Sequence, residues 1–213
     1  MADLLDTSLF SDEPRSDPFV MPWPELGNPA ALLSFHSFPE WQAFILARPL
    51  HPAIPQIVSN KFRRAQKLYV LAWIDFDLVK AGELVALTAL ELALKDRYGL
   101  LLNQQKKRDE RRPFLPQLLD YLVEHDGLSD ASLSFTRRYG GSVIPFLLGH
   151  KTKHRAPGST TRTSLAGIRN SLAHGDPFDG LPWSGLLELV RDLIEYAYRS
   201  YLLEADGKLS TTR

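Results

Sequence analysis

The chain has 213 residues, of which 44% are hydrophobic and 23% charged, a balance typical of one globular domain that buries a core. Its 25 basic and 25 acidic side chains give a formal net charge of +0, which argues against a polybasic protein of the histone type. The absence of cysteine excludes disulfide bonds and thiolate metal sites and favours a cytoplasmic location.

Residues 1–55 differ in composition from the rest and are predicted to form an acidic, proline-rich N-terminal arm. The N-terminus lacks the basic start and apolar core of a signal peptide. Nine prolines in this region exclude long helices, while aromatic residues such as Trp23 and Trp41 are too numerous for a disordered tail. We therefore expect an extended arm that packs onto the body or onto a partner. Neither the arm nor the remaining chain shows convincing strand alternation.

From residue 56 the apolar pattern is helical and predicts an all-α fold, a bundle of four to five main helices over 56–205, followed by a flexible tail at 206–213. Apolar residues from Phe62 to Val79 recur at three- and four-residue steps, which predicts one long helix with a break at Gly82. Residues 83–98 are apolar nearly all round, so we expect a helix buried on most faces. No uncharged apolar run is long enough for a bilayer, and no membrane partner is expected.

Local start and stop signals predict the remaining helices. The predicted segments are Leu115 to Glu124, a short one from Ser129 or Asp130 to Tyr139 that Gly140 ends, one that begins at Thr163 or Ser164 and ends at Gly175, and a last helix from about Ser184 to Leu203.

The helix that ends at Gly175 carries the most informative polar residues of the chain. Its apolar residues fall within about 60° of one another around the helix and are expected to face the core: Leu165, Ile168 and Leu172. Arg169 lies beside this stripe, Asn170 about 100° further round and His174 about 40° past Asn170, so all three leave along one flank. A guanidinium can hold a phosphate by paired hydrogen bonds, and an imidazole can transfer protons, so the set suits phosphodiester cleavage.

At these residues the sequence resembles the HEPN superfamily of helical nucleases and nucleotide-binding proteins. The signature of that family is an arginine, a polar residue directly after it and a histidine four to six residues on; here these are Arg169, Asn170 and His174. The family motif also ends one bundle helix and precedes another long one, as it does here. The resemblance spans about residues 60–203 and, outside the motif, rests on the order of helices.

The resemblance implies a metal-independent endoribonuclease without a cofactor, in which the 2′-hydroxyl of the RNA attacks and leaves a cyclic phosphate. It also implies a homodimer whose two motifs face each other across a cleft, toxin or phage-defence activity, and a cognate antitoxin or inhibitor protein as partner. Some toxins of the family carry a tyrosine two residues after the histidine, which the antitoxin modifies. This chain has Asp176 there, so that form of control is not expected.

Two further sets of residues are candidates for the same site. The basic residues of the segment before the motif helix are predicted to contact RNA phosphates, the alternative being a solvated loop: Lys151, Lys153, Arg155 and Arg162. Glu91 is a second candidate, because a buried carboxylate needs a partner; it either orients Arg169 or pairs with Lys95 on its own helix. No metal site is predicted.

Two functions from different classes therefore compete. The first is a homodimeric ribonuclease in which Arg169 binds the phosphate, Asn170 positions a group and His174 is the general acid and base. The second is a non-catalytic helical dimer that acts as a nucleotide- or protein-binding module, with the arm at residues 1–55 as its binding segment.

Overall fold

A computed structural model describes residues 16–104, 113–149, 164–175 and 181–210 of the chain. Within these ranges the chain forms a two-stranded sheet and a set of helices, which in chain order are β1 (Phe19–Pro22), β2 (Leu32–Phe35), α1 (Phe38–Leu46), α2 (Gln56–Leu71), α3 (Leu78–Gln104), α4 (Leu115–Glu124), a 3₁₀ turn (Asp130–Ser132), α5 (Ser134–Tyr139), α6 (Ile144–Leu147), α7 (Leu165–His174) and α8 (Leu186–Ser210). The prediction of a mainly helical fold is confirmed.

The two strands form an antiparallel hairpin, so the expectation that the chain contains no strand is wrong. Phe19 pairs with Phe35, and Pro22 pairs with Leu32. Each strand has only four residues, which is too short for a clear alternation, and a proline at the end of a two-stranded sheet leaves the ladder intact. The composition of residues 1–55 therefore distinguished this region from the rest of the chain but did not predict the hairpin within it.

Residues 16–55 share one hydrophobic core with the helices that follow. Their largest buried side chains are aromatic or bulky and pack together: Phe19, Met21, Trp23, Phe35, Phe38, Trp41 and Ile45. The Trp41 indole N–H donates to the backbone oxygen of Tyr69 at 2.9 Å, which fixes α1 to α2. Ser37 begins α1 because its hydroxyl accepts from the Glu40 N–H, as is common at helix starts.

The boundary between α2 and α3 differs from the sequence expectation. α2 ends at Leu71, a turn occupies residues 72–77, and α3 runs from Leu78 without a break at Gly82. Gly82 instead lets α3 approach α2, because a Cβ atom there would lie 2.7 Å from Cδ2 of the Tyr69 ring. The glycine therefore marks close helix packing and not a helix end.

The helix that carries the motif is bounded as its sequence predicts. Ser164 precedes α7 and accepts a hydrogen bond from the Gly167 N–H, and Gly175 ends the helix with a φ of 76°. Such positive φ values favour glycine, since a side chain would clash there. α4 also has its predicted bounds, whereas α8 continues past Leu203 to Ser210. No helix in the described part of the chain is both long and apolar enough to cross a membrane.

Candidate active site

α7 packs against α3 and α6 through its buried side chains. Leu165, Ala166 and Ile168 are buried at the start of the helix, which fixes its orientation on the bundle. The predicted apolar stripe holds for Leu165 and Ile168, while Leu172 is half-buried. Arg169, the first residue of the motif, directly follows the buried Ile168.

Arg169 is held against α3 by an ion pair with Glu91. The Nη2 atom of Arg169 lies 2.9 Å from Oε2 of Glu91, and Nη1 donates to the Asn170 side-chain oxygen at 3.3 Å. The other carboxylate oxygen of Glu91 lies 2.6 Å from Nζ of Lys95. The two alternatives predicted for Glu91 therefore occur together, and one carboxylate bridges Arg169 and Lys95.

Asn170 and His174 lie on the exposed side of α7. They are four residues apart and therefore neighbours on the helix surface, one turn from each other. Arg169 and His174 are about 140° apart around the helix axis, so Arg169 turns towards α3 while His174 faces outward, and the expectation that all three polar residues leave along one flank is wrong. One copy of the chain thus offers an anchored guanidinium on one side of α7 and an exposed amide and imidazole on another.

Several predicted site residues lie outside the described residues. These are Lys151, Lys153, Arg155 and Arg162, which were expected to contact RNA; Asp176, where some toxins of the family carry a tyrosine, also lies outside them. Among the residues that are described, no group of three or more His, Asp or Glu side chains is arranged to hold a metal ion.

Comparison with known proteins adds no identification. No family model, curated protein or solved structure matches this chain. Membership of the HEPN superfamily therefore stays a prediction from the motif and from the order of the helices.

A second polar cluster surrounds Glu188 of α8, which sequence reasoning did not single out. Glu188 is fully buried, and the guanidinium groups of Arg48 and Arg138 lie 2.9 Å and 2.5 Å from its carboxylate. The Tyr139 hydroxyl and the Trp23 indole N–H donate hydrogen bonds to the same carboxylate at 3.0 Å and 3.3 Å. Burial alone raises the pKa of Glu188, but the two guanidinium groups hold it below its ordinary value. An acidic residue between buried leucines was the available signal, because a buried carboxylate needs partners.

A third cluster lies at the start of α3 around Glu83, which is also fully buried. One oxygen of Glu83 accepts from the Trp183 N–H, and the other lies 3.3 Å from Nζ of Lys80. Burial raises the pKa of Glu83 to about 7, against the opposing effects of the Lys80 ammonium and the Trp183 N–H. Lys80 also donates to the Leu181 oxygen at 2.7 Å, so this cluster fixes the chain just before α8.

Proposed function

We propose that the protein is a metal-independent endoribonuclease of the toxin or phage-defence type, with Arg169, Asn170 and His174 as its catalytic residues. One observation carries the proposal: on α7, Arg169 is anchored by an ion pair with Glu91, while His174 is exposed one turn from Asn170. An anchored guanidinium suits charge stabilisation at a phosphate, and an exposed imidazole suits proton exchange.

The proposed reaction is the one that the resemblance to the HEPN superfamily implies. The 2′-hydroxyl of the RNA attacks the neighbouring phosphorus, the bond to the 5′-oxygen of the next nucleotide breaks, and a 2′,3′-cyclic phosphate forms. The attacking 2′-hydroxyl loses one proton and the leaving 5′-oxygen gains one; His174 carries out one of these transfers and solvent water the other, so the net proton count is unchanged. Arg169 donates paired hydrogen bonds to the phosphate oxygens, whose negative charge increases in the transition state.

The proposal includes a homodimer, because one α7 directs its Arg169 and His174 to different sides. A second copy facing the exposed side of α7 would supply the opposite half of the cleft. Two polar motifs would then converge on one phosphate, which a single helix of this geometry does not achieve. The support within one copy is that Asn170, Ser171 and His174 are exposed and open to such a contact.

The test is RNA cleavage by purified protein and by His174→Ala in the presence of a chelator. A positioned general acid or base is typically worth about 10²–10⁴ in rate, so His174→Ala should lose at least about 10² while its circular dichroism stays unchanged. His36→Ala is the matched control, because His36 is also exposed but lies before α1, outside the site. An active His174→Ala enzyme, or a wild-type protein that cuts no RNA, overturns the proposal.

A second candidate is a non-catalytic helical dimer that binds a nucleotide or a protein. The observation in its favour is the set of exposed apolar side chains near the C-terminal parts of α3 and α8: Leu100, Leu101, Tyr201 and Leu203. These helices contact each other there, since Arg97 donates to the Ala197 backbone oxygen. Such a module would keep its binding function in His174→Ala, which separates it from the ribonuclease.

A further inference from the structure

The Glu91 carboxylate on α3 is shared between two cations that come from different helices. Its two oxygens lie 2.9 Å from Nη2 of Arg169 on α7 and 2.6 Å from Nζ of Lys95 on α3. The Glu91 side chain is only 10% exposed, whereas those of Arg169 and Lys95 are 32% and 40% exposed. The carboxylate is therefore covered, while the two cations that contact its two oxygens both reach the surface.

The cluster carries a surplus of one positive charge, because two cations share one carboxylate. Asp96, the next residue along α3, lies about 100° around the helix from Lys95, and its carboxylate accepts a hydrogen bond from Tyr198 of α8 at 2.6 Å, so it is not a member of this cluster. The whole chain has a formal net charge of +0, so a local surplus is not a general property of its surface. A partly exposed pair of cations beside a hydrogen-bonding side chain such as Asn170 suits a phosphate group.

We infer that Lys95 is a second phosphate-binding residue of the site and that Glu91 positions both cations. The RNA-binding surface then includes α3 and not only the motif helix. The ligand assigned here, an RNA phosphate, rests on the proposed ribonuclease function. Lys95 and Arg169 contact the phosphate, whereas Glu91 acts through them.

If the Glu91–Lys95 ion pair were purely structural, removal of Lys95 would have a different effect from removal of a phosphate-binding residue. Ion pairs that reach the surface contribute little to stability, so removing Lys95 would change the free energy of unfolding slightly and leave RNA affinity unchanged. Removal of a residue that binds a phosphate would instead lower RNA affinity and reduce its dependence on salt. For single-stranded nucleic acid, each phosphate that a protein neutralises adds about 0.7 to the slope of log K against log salt concentration.

The experiment measures binding of a short single-stranded RNA that carries 2′-O-methyl groups and therefore cannot be cleaved by 2′-hydroxyl attack. Fluorescence anisotropy over a series of salt concentrations gives the Kd and the salt slope for wild type, Lys95→Ala and Lys95→Arg. The control is Arg64→Ala, which removes the same charge from an exposed position on α2. Arg64 lies on the opposite side of that helix from the buried Val58, Phe62 and Ala65.

We expect Lys95→Ala to raise the Kd several-fold and to lower the salt slope by about 0.7, with Lys95→Arg and Arg64→Ala close to wild type. Lys95→Ala with the Kd and salt slope of wild type overturns the inference. If that protein also cleaves natural RNA normally, the ribonuclease proposal stands without Lys95. Conversely, Lys95-dependent binding by a protein that cleaves no RNA supports the inference and overturns the ribonuclease.

Glu91→Gln tests the positioning role separately, because two effects of this change have opposite signs. Loss of the negative charge increases the local positive charge and, by electrostatics alone, would tighten RNA binding. Loss of the shared carboxylate releases the two cations from their fixed geometry and would weaken it. We expect weaker binding, while tighter binding by a folded Glu91→Gln protein contradicts the positioning role.

Discussion

Glu83 and Glu91 lie about two turns apart on α3, and their surroundings differ in the number of cations that contact them. Glu91 contacts both Arg169 and Lys95, and these cations are partly exposed. Glu83 is fully buried and contacts one cation, Lys80. The same residue type therefore has two roles within one helix: one carboxylate links two partly exposed cations of different helices, and the other fixes the chain before α8.

The raised pKa of Glu83, about 7 against an ordinary value of 4.5, predicts how stability changes with pH. The folded protein keeps a proton on Glu83 at pH values where the unfolded chain has lost it. The contribution of this group to stability is therefore complete below about pH 4.5 and is lost as the pH rises through about 7. The loss amounts to roughly 3 kcal/mol, since a pKa that differs by one between the folded and unfolded states corresponds to about 1.4 kcal/mol.

Glu83→Gln removes this titration and keeps an oxygen that can accept from the Trp183 N–H. Urea unfolding of both proteins below about pH 4.5 and above about pH 7 should show the variant gaining roughly 3 kcal/mol over wild type with rising pH. A difference between the two proteins that stays constant with pH would show that the pKa of Glu83 is close to its ordinary value.

At the scale of the elements, the sequence predicted the helix ends that are set by residues at those ends. The bounds of α4 and the start and end of α7 follow from capping and stop residues, of which Ser164 and Gly175 are the clearest. The sequence did not predict the hairpin of β1 and β2 because a loop over residues 23–31 separates the two strands and each strand has only four residues, too few for a clear alternation. The sequence did not predict the boundary between α2 and α3, because the helical spacing of apolar residues continues through the turn at residues 72–77.

α8 shows a related gap between sequence pattern and structure. Leu186, Val190 and Leu193, which lie on one apolar side of this helix, are buried, but Glu188 and Asp192 on its other sides are buried too. A single apolar stripe predicts that only one side of a helix is buried. The other sides of α8 are covered by α5 and by residues from the N-terminal region. In the candidate site, the motif consists of residues of α7 alone, and only the packing of α3 on α7 brings Arg169 to the carboxylate that also contacts Lys95.

Gly82 and Gly99 provide a matched pair for the packing of α2 on α3. A Cβ at position 82 would lie 2.7 Å from the buried Tyr69 ring, whereas a Cβ at position 99 of the same helix would meet nothing within 4 Å. We expect Gly82→Ala to destabilise the protein by about 1–3 kcal/mol because the ring cannot move aside. Gly99→Ala should stabilise it by about 0.5–1 kcal/mol through helix propensity.

Chemical denaturation of the two variants measures both effects. Equal changes in the free energy of unfolding would show that helix propensity dominates at both positions. In that case, the close approach of α3 to Tyr69 would not limit the side chain at position 82.

At the scale of the whole molecule, the N-terminal region and the helical body are joined by a buried charge. Arg48 lies 2.9 Å from the Glu188 carboxylate, and its guanidinium stacks 3.8 Å from the centre of the Phe44 ring and 4.8 Å from that of Trp23. A buried ion that loses a partner is costly, and Arg48 also covers aromatic surface. Residues 16–55 and the helices should therefore unfold in a single transition.

Arg48→Ala should lower the free energy of unfolding by about 3 kcal/mol, because the buried Glu188 keeps only one of its two close cations, Arg138, and the rings that Arg48 covers lose that contact. Denaturant unfolding followed by tryptophan fluorescence and by circular dichroism measures this change and tests whether the two probes coincide. Arg64→Ala is again the control and should stay within about 0.5 kcal/mol of wild type. An Arg48→Ala protein as stable as that control would mean that the Glu188 cluster does not join the two parts.

The most direct test of the proposed ribonuclease site is an end-group analysis of RNA incubated with the protein and a chelator. Attack by the 2′-hydroxyl predicts fragments that end in a 2′,3′-cyclic phosphate, formed by wild type and slowed by at least about 10² in rate in His174→Ala. Uncut RNA, fragments that carry 3′-hydroxyl and 5′-phosphate ends, or cyclic phosphates formed equally fast by His174→Ala would contradict it.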